Sequence, residues 1–196
     1  MCTVREGCLQ FRRQVFRFHH PTKSMPELIS VLTRGEIKKR VARVARIISS
    51  DYQNGELILI GVLKGAFIFL SDLAREITVP VKIDFVETSS YGAGTCSSGR
   101  VRIIKEIEID ITDKNVLLVE DIVDTGLTLT VLIDYIKSLN PKTVKVCTLL
   151  SKHERREAKI HIDYACHEVR NGYLVGYGLD YAGDYRHLPQ IYELKL

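Results

Sequence analysis

Val116-Leu117-Leu118-Val119-Glu120-Asp121-Ile122-Val123-Asp124-Thr125-Gly126-Leu127-Thr128 is the stretch from which the fold can be read. Four consecutive apolar residues between Asn115 and Glu120 suit a strand covered on both faces, as in a parallel sheet. Two adjacent carboxylates follow, where that strand is expected to leave the sheet. Asp124-Thr125-Gly126-Leu127-Thr128 then offers a glycine for close backbone approach, two hydroxyls and the free N–H groups of a helix start. Together these can cradle a phosphate. The acids a few residues away suit sugar hydroxyls or a hard cation such as Mg²⁺. One short segment thus supplies both halves of a site for a phosphorylated sugar.

Other readings of the same stretch exist. It could be an ordinary βα unit whose acids decorate a helix start, where negative charge is favoured in any case. It could be the acid-bearing strand end of a phosphoryl-accepting receiver domain, although such a pair belongs near the start of its domain and here more than a hundred residues precede it. A P-loop is excluded, because no Gly-Lys-Ser/Thr follows the strand. Open α/β sheets bind ligands at the carboxyl ends of their strands, which favours the phosphate site.

Outward from this stretch, the chain alternates helix and strand. Ile37, Val41, Val44 and Ile48 repeat at a helical period from Arg34 to Ser50, with Lys38, Lys39, Arg40, Arg43 and Arg46 elsewhere around the wheel as a solvated face. Leu57 to Leu63 reads as a strand, Ala66 to Ile77 as a helix, and Val81 to Val86 as the next strand after Pro80. From Thr88 to Arg100, nine of thirteen residues are Gly, Ser or Thr. That segment reads as a loop, passive or a mobile lid, with Ser90 and Tyr91 as its hydrogen-bonding groups.

Val101, Ile103, Ile107 and Ile109 then alternate with charged residues, as in a half-buried strand. The helix after the central strand carries Val131, Ile133, Tyr135, Ile136 and Leu139, and Thr143 to Leu150 is another apolar strand ending at Ser151-Lys152. The last third reads as short strands and turns. The expected class is α/β, a central mainly parallel sheet flanked by helices.

At 196 residues the chain supports one compact domain with a real core. Its formal charge of +4 gives no support to a nucleic-acid surface. The first 24 residues hold Arg5, Arg12, Arg13, Arg17 and Lys23 against Glu6, and the remainder balances at 23 basic and 23 acidic residues. Residues 1–24 are expected to be a disordered or non-native extension, and 25–196 a single domain. Five cysteines without a Cys-x-x-Cys pair point to reduced thiols and a cytoplasmic setting. No apolar run reaches the roughly 20 residues of a membrane span, so no membrane partner is expected. The six histidines show no metal-ligand spacing.

Four polar groups fall where expected strands end: Lys64, the Glu120-Asp121-Asp124 cluster, Lys152 and Asp180. With Leu63-Lys64-Gly65, Ser90-Tyr91-Gly92, the acidic Thr-Gly motif, Leu150 with Lys152, and Val175-Gly176-Tyr177-Gly178-Leu179-Asp180-Tyr181 followed by Arg186, the chain from about Met25 onward resembles the 6-oxopurine, hypoxanthine-guanine phosphoribosyltransferases. The acidic Thr-Gly motif marks phosphoribosyltransferases in general, whereas Lys152 and the last motif narrow the resemblance to 6-oxopurines.

The resemblance implies a type I phosphoribosyltransferase fold with a small hood from the C-terminal third and the N-terminal part, and a flexible lid loop. It implies transfer of phosphoribose from phosphoribosyl pyrophosphate to hypoxanthine or guanine, with Mg²⁺ and as a homodimer or homotetramer. Glu120 and Asp121 would hold the ribose hydroxyls and a metal, and Asp124 would be the acid/base group at purine N7. Thr125, Gly126, Leu127 and Thr128 would bind the 5′-phosphate. Lys64, Gly65 and Arg186 would hold pyrophosphate, with a cis peptide at Leu63-Lys64 or just after Lys64. Lys152 would donate to the exocyclic O6, Tyr173 would stack on the base beside Leu174, and Asp180 would serve the purine side and a second Mg²⁺. The preference among hypoxanthine, guanine and xanthine stays open, because Glu168-Val169-Arg170-Asn171-Gly172 and His187 depart from commoner family residues. An alternative within the same fold is a nucleotide-sensing regulator that binds RNA.

Overall fold

In the computed structural model, residues 26–90, 101–154, 156–170 and 172–195 are described. The central sheet has six strands. β2 (Leu57–Leu63), β3 (Val81–Ser90), β4 (Val101–Lys105), β5 (Asn115–Val123), β6 (Thr143–Lys152) and β7 (Tyr164–Val169) lie in the order β4-β3-β2-β5-β6-β7. All neighbours run parallel except β3 and β4. β2 throughout and β5 from Val116 to Val119 are continuous apolar runs because helices cover both faces, which is why neither alternates. α1 (Arg34–Asp51) and α2 (Phe67–Glu76) bury Ile37, Val41, Val44 and Ile48, and Phe69, Leu70 and Leu73, in one core; α3 (Leu127–Ser138) buries Leu129, Leu132 and Ile136 in the other.

α1 begins at a capping box in which the Thr33 hydroxyl accepts from the Glu36 N–H and the Glu36 carboxylate accepts from the Thr33 N–H. The hood is a second, antiparallel sheet of β1 (Glu27–Leu32), β9 (Ile191–Lys195) and β8 (Leu174–Val175), in the order β1-β9-β8. It carries the C-terminal motif to the rim of the central sheet. β1 is a strand for which the sequence reading had no expectation.

Three boundaries differ from those expected. β5 does not end at Val119 but carries Glu120 and Asp121 within it, since Glu120, Ile122 and Val123 stay in register with Thr148, Leu150 and Ser151 of β6 while pairing to β2 stops at Val119. The acids therefore sit on a strand anchored from one side and open on the other. β4 ends at Lys105 instead of running on to Ile109. The buried Asp84 carboxylate accepts the N–H groups of Glu108 and Ile109, which turns the chain out of the ladder while Ile107 and Ile109 still pack on the core. Third, β3 extends through Thr88, Ser89 and Ser90, so the polar loop begins later than expected; Tyr91 and the rest of that loop lie outside the described residues.

Candidate active site

Glu120 and Asp121 are half-buried where β5 faces the hood. The Asp121 N–H donates to Glu120 Oε1 at 3.2 Å and the Ile122 N–H to Asp121 Oδ1 at 2.7 Å. Burial, and then the neighbouring Asp121 charge, push the Glu120 carboxyl well above the usual carboxylate range. Burial raises Asp121 as well, opposed by the hydrogen bond with Glu120, the Ile122 N–H and the Arg186 charge. Two adjacent carboxyls that resist ionising together are suited to a ligand that brings positive charge or hydroxyl donors.

The chain then turns at Gly126, whose φ of +86° makes it a left-handed N-cap for α3. A Cβ there would lie 2.9 Å from Ile160 Cδ1, so a side chain would be strained in conformation and would push the Ile160 side chain aside. The Leu127 N–H reaches Thr125 Oγ1 at 3.4 Å, and Thr128 lies in the first turn of α3. The N–H groups of this first turn are those a helix start leaves without intrahelical partners, at the position where the sequence led us to expect an anion cradle.

The loop is braced from its outer side by residues that the sequence reading passed over. Arg156 Nε donates to Asp124 O at 3.2 Å, and Arg156 Nη2 lies within reach of Val123 O, Ser151 Oγ and Lys152 O at 3.4, 3.1 and 2.8 Å. Next to it, the N–H groups of Glu157 and Ala158 both donate to Thr125 O, at 3.0 and 3.1 Å. Nothing in the charged run His153-Glu154-Arg155-Arg156-Glu157 distinguishes Arg156 in sequence, since its partners are backbone oxygens about thirty residues away and the end of β6.

Leu63 and Lys64 are joined by a cis peptide, at one of the two positions the resemblance allowed. Gly65 packs so closely on the acids that a Cβ would fall 1.7 Å from Asp121 Oδ2, and Gly178 (φ +105°) packs on Gly65 in turn, its notional Cβ 2.2 Å from Gly65 O. Lys64-Gly65, Asp121 and the C-terminal motif thus meet at one point. Arg186 does not project freely: it holds Asp180 Oδ1 at 2.6 Å and donates to Gly178 O. Asp180 Oδ2 accepts the Gly183 N–H at 2.8 Å. Among the described residues no group of three acids, histidines or cysteines is close enough to form a metal cluster, so Asp180 is not brought together with Glu120 and Asp121 in one.

At the end of β6, Lys152 is buried, with Nζ donating to Gly172 O at 3.0 Å and lying 3.6 Å from Asp124 Oδ2. Tyr173 is 49% exposed and meets Tyr181 edge-on at 5.1 Å, leaving ring surface free. Leu174 is buried at the start of β8. A cavity of about 550 Å³ runs between Asp121, Asp124, Lys152, Tyr173, Leu174 and Asp180. Ile122 and Leu179 also line it; both stand inside the motifs quoted from sequence, where an apolar residue in a strand or turn carries no signal of a cavity wall. The backbone of Ser90 ends β3, and Tyr91 lies outside the described residues.

A family model for the phosphoribosyl transferase domain matches residues 30–182. The chain belongs to the phosphoribosyltransferase family. Its similarity is to the hypoxanthine-guanine members: it is 45% identical over 163 residues to the hypoxanthine phosphoribosyltransferase of Buchnera aphidicola, covering 82% of this chain and 92% of that relative. It is also 45% identical over 166 residues to the hypoxanthine-guanine phosphoribosyltransferase of Aquifex aeolicus, covering 84% and 93%. Among solved structures, a hypoxanthine-guanine phosphoribosyltransferase of Bacillus anthracis with HEPES in its active site superposes with a TM-score of 0.80 at 39% identity, covering 85% of this chain and 96% of that one. A hypoxanthine phosphoribosyltransferase of Staphylococcus aureus gives 0.82 at 39% identity, covering 85% and 90%.

Proposed function

We propose that this enzyme transfers phosphoribose from phosphoribosyl pyrophosphate to hypoxanthine or guanine in purine salvage, releasing pyrophosphate. The observation that carries the reading is the one cavity shared by Asp121, Asp124, the buried Lys152 and Asp180, with Glu120 beside Asp121 on β5 and the Gly126 turn just beyond its end. In the transfer, the bond from C1′ to the pyrophosphate oxygen breaks with its electron pair leaving on pyrophosphate, and purine N9 bonds to C1′ as the purine gives up its proton. The sugar passes through a cationic, oxocarbenium-like state, so negative charge fixed beside it lowers the barrier.

Glu120 and Asp121 take the ribose hydroxyls and place their charge beside that cation. Asp124 faces N7 and accepts the departing proton, and Lys152, 3.6 Å from it, donates to O6. An adenine amino group at the same position would offer N–H groups to an ammonium, which favours oxopurines. The N–H groups from Thr125 to Thr128, with the two threonine hydroxyls, hold the 5′-phosphate. Tyr173 offers a ring face and Leu174 a buried wall to the base. The Lys64-Gly65 turn and Arg186 face the pyrophosphate.

The donor set at β5 fits Mg²⁺, because two adjacent half-buried carboxylates favour a hard divalent cation and each is otherwise disfavoured as an anion. Bound there through Glu120 and Asp121, the ion would neutralise the leaving pyrophosphate. Asp180 is the further carboxylate on the opposite rim. We take residues 25–196 as the catalytic domain, working as a homodimer or homotetramer in the cytoplasm, a setting the buried free thiols of Cys147 and Cys166 support. No helix among the described residues is long and apolar enough to cross a membrane.

A spectrophotometric assay of hypoxanthine, guanine, xanthine and adenine with phosphoribosyl pyrophosphate and Mg²⁺ tests the reading. Turnover of hypoxanthine or guanine with adenine inert is expected. Inactivity on all four bases, or adenine as the preferred substrate, would overturn it.

A further inference from the structure

The outer brace of the phosphate loop consists of one guanidinium and two backbone N–H groups. Arg156 and its two successors take the carbonyls of Asp124 and Thr125 from one side, with distances of 3.0 to 3.2 Å, and Arg156 Nη2 also approaches Val123 O at 3.4 Å. In a planar trans peptide the carbonyl and the following N–H point in opposite directions. The Leu63-Lys64 bond is the one cis peptide among the described residues, so the units at 124–125 and 125–126 are trans. Holding the carbonyls of Asp124 and Thr125 outward therefore turns the N–H groups of Thr125 and Gly126 toward the opposite side, where the 5′-phosphate is expected. The same guanidinium reaches Ser151 Oγ and Lys152 O, tying the loop to the strand end that carries the base-recognising lysine. Ala158 and Ile160 close the remaining space against Gly126.

We infer that Arg156 is a positioning residue that pre-sets the phosphate cradle and fixes its distance from Lys152, without touching substrate itself. All four of its acceptors are neutral oxygens of the protein, so its charge serves to strengthen bonds to the backbone instead of pairing with a ligand. An unbraced loop would have to order its N–H groups on binding, and that ordering would be subtracted from the affinity for the phosphate end alone.

This inference rests on the sugar-phosphate reading of the site, and the experiment separates the two. Dissociation constants for IMP and for pyrophosphate are measured by calorimetry on the unaltered chain, Arg156→Met and Arg156→Lys, alongside KM for phosphoribosyl pyrophosphate and for the base. In Arg156→Met, IMP affinity is expected to fall by roughly tenfold or more and KM for phosphoribosyl pyrophosphate to rise, because pre-organisation is lost. Pyrophosphate affinity, which depends on the Lys64-Gly65 turn, should be unchanged. Arg156→Lys, a point charge that cannot span the four acceptors, should lie between; it is read on the same scale if the methionine variant does not fold. Unchanged IMP affinity, or equal loss of IMP and pyrophosphate, would overturn the role of Arg156. Failure of the unaltered chain to bind IMP would instead overturn the functional reading beneath it.

Discussion

Asp124 and Lys152 stand 3.6 Å apart on neighbouring strand ends, close enough to share the proton movement and the O6 contact of one purine. Asp124→Asn keeps the shape but removes the proton acceptor, so turnover should fall by about 10²- to 10⁴-fold with substrate affinity largely kept; unaltered turnover in a rapid-quench assay would remove Asp124 from the chemistry. Lys152→Ala deletes a charged donor, a contribution of about 1.5–3 kcal/mol, so discrimination between hypoxanthine and adenine should shrink roughly tenfold to a hundredfold. The same preference in variant and parent would refute the assignment. Both positions were legible in the sequence as polar groups at expected strand ends, and their roles were implied by the family resemblance. Arg156 was not, because hydrogen bonds to backbone oxygens leave no signature on the residues that accept them. The carbonyl of Gly172, which accepts from Lys152, was hidden for the same reason.

At the scale of elements, periodicity gave α1 and the apolar strands closely, and failed where a side chain redirects the backbone. Ile107 and Ile109 keep the alternation of a strand, yet Asp84 takes the N–H groups of Glu108 and Ile109 and ends β4 early. Asp84 is 8% exposed. Burial alone would push its carboxyl up, but the N–H groups of Phe85, Ile109 and Glu108, with Lys105, outweigh burial and hold it below the usual range. A carboxylate whose folded pKa is depressed contributes stability above its unfolded value, near 3.9, and loses it as pH falls through the folded value. Asp84→Asn should therefore lower stability at neutral pH by about 1–3 kcal/mol, since an amide N–H₂ would face two N–H donors. It should also flatten the loss of stability below pH ~4. Thermal unfolding as a function of pH checks both, and a variant as stable as the parent would show that the turn does not depend on this carboxylate. β1 escaped the sequence reading because its partner β9 lies more than 150 residues away and the pairing is set by the tertiary fold.

Across the whole molecule, the site exists only because two sheets meet. The central sheet supplies the acids and Lys152, the hood supplies Leu174 and the Asp180–Arg186 pair, and Gly65 and Gly178 are the two positions bare enough to let the parts close on Asp121. A second cavity of about 550 Å³ lies between α1 and α2, lined in part by Asp72, Arg75, Tyr177 and His187, and shares no residue with the first. Volume alone does not choose between them; chemistry does, because only the first gathers the strand-end acids and Lys152. If residues 25–196 are the whole catalytic unit, a chain starting at Met25 should keep full turnover, and loss of turnover with the fold intact would assign a role to the first 24 residues. Chelating divalent metal should abolish turnover and Mg²⁺ should restore it; activity that survives chelation would remove the metal from the β5 acids. The most direct test of all is a crystal structure with bound IMP. The ribose hydroxyls should lie against Glu120 and Asp121, the phosphate on the N–H groups of Thr125 to Thr128, and O6 at Lys152, whereas IMP seated between α1 and α2 with the β5 corner empty would contradict the account.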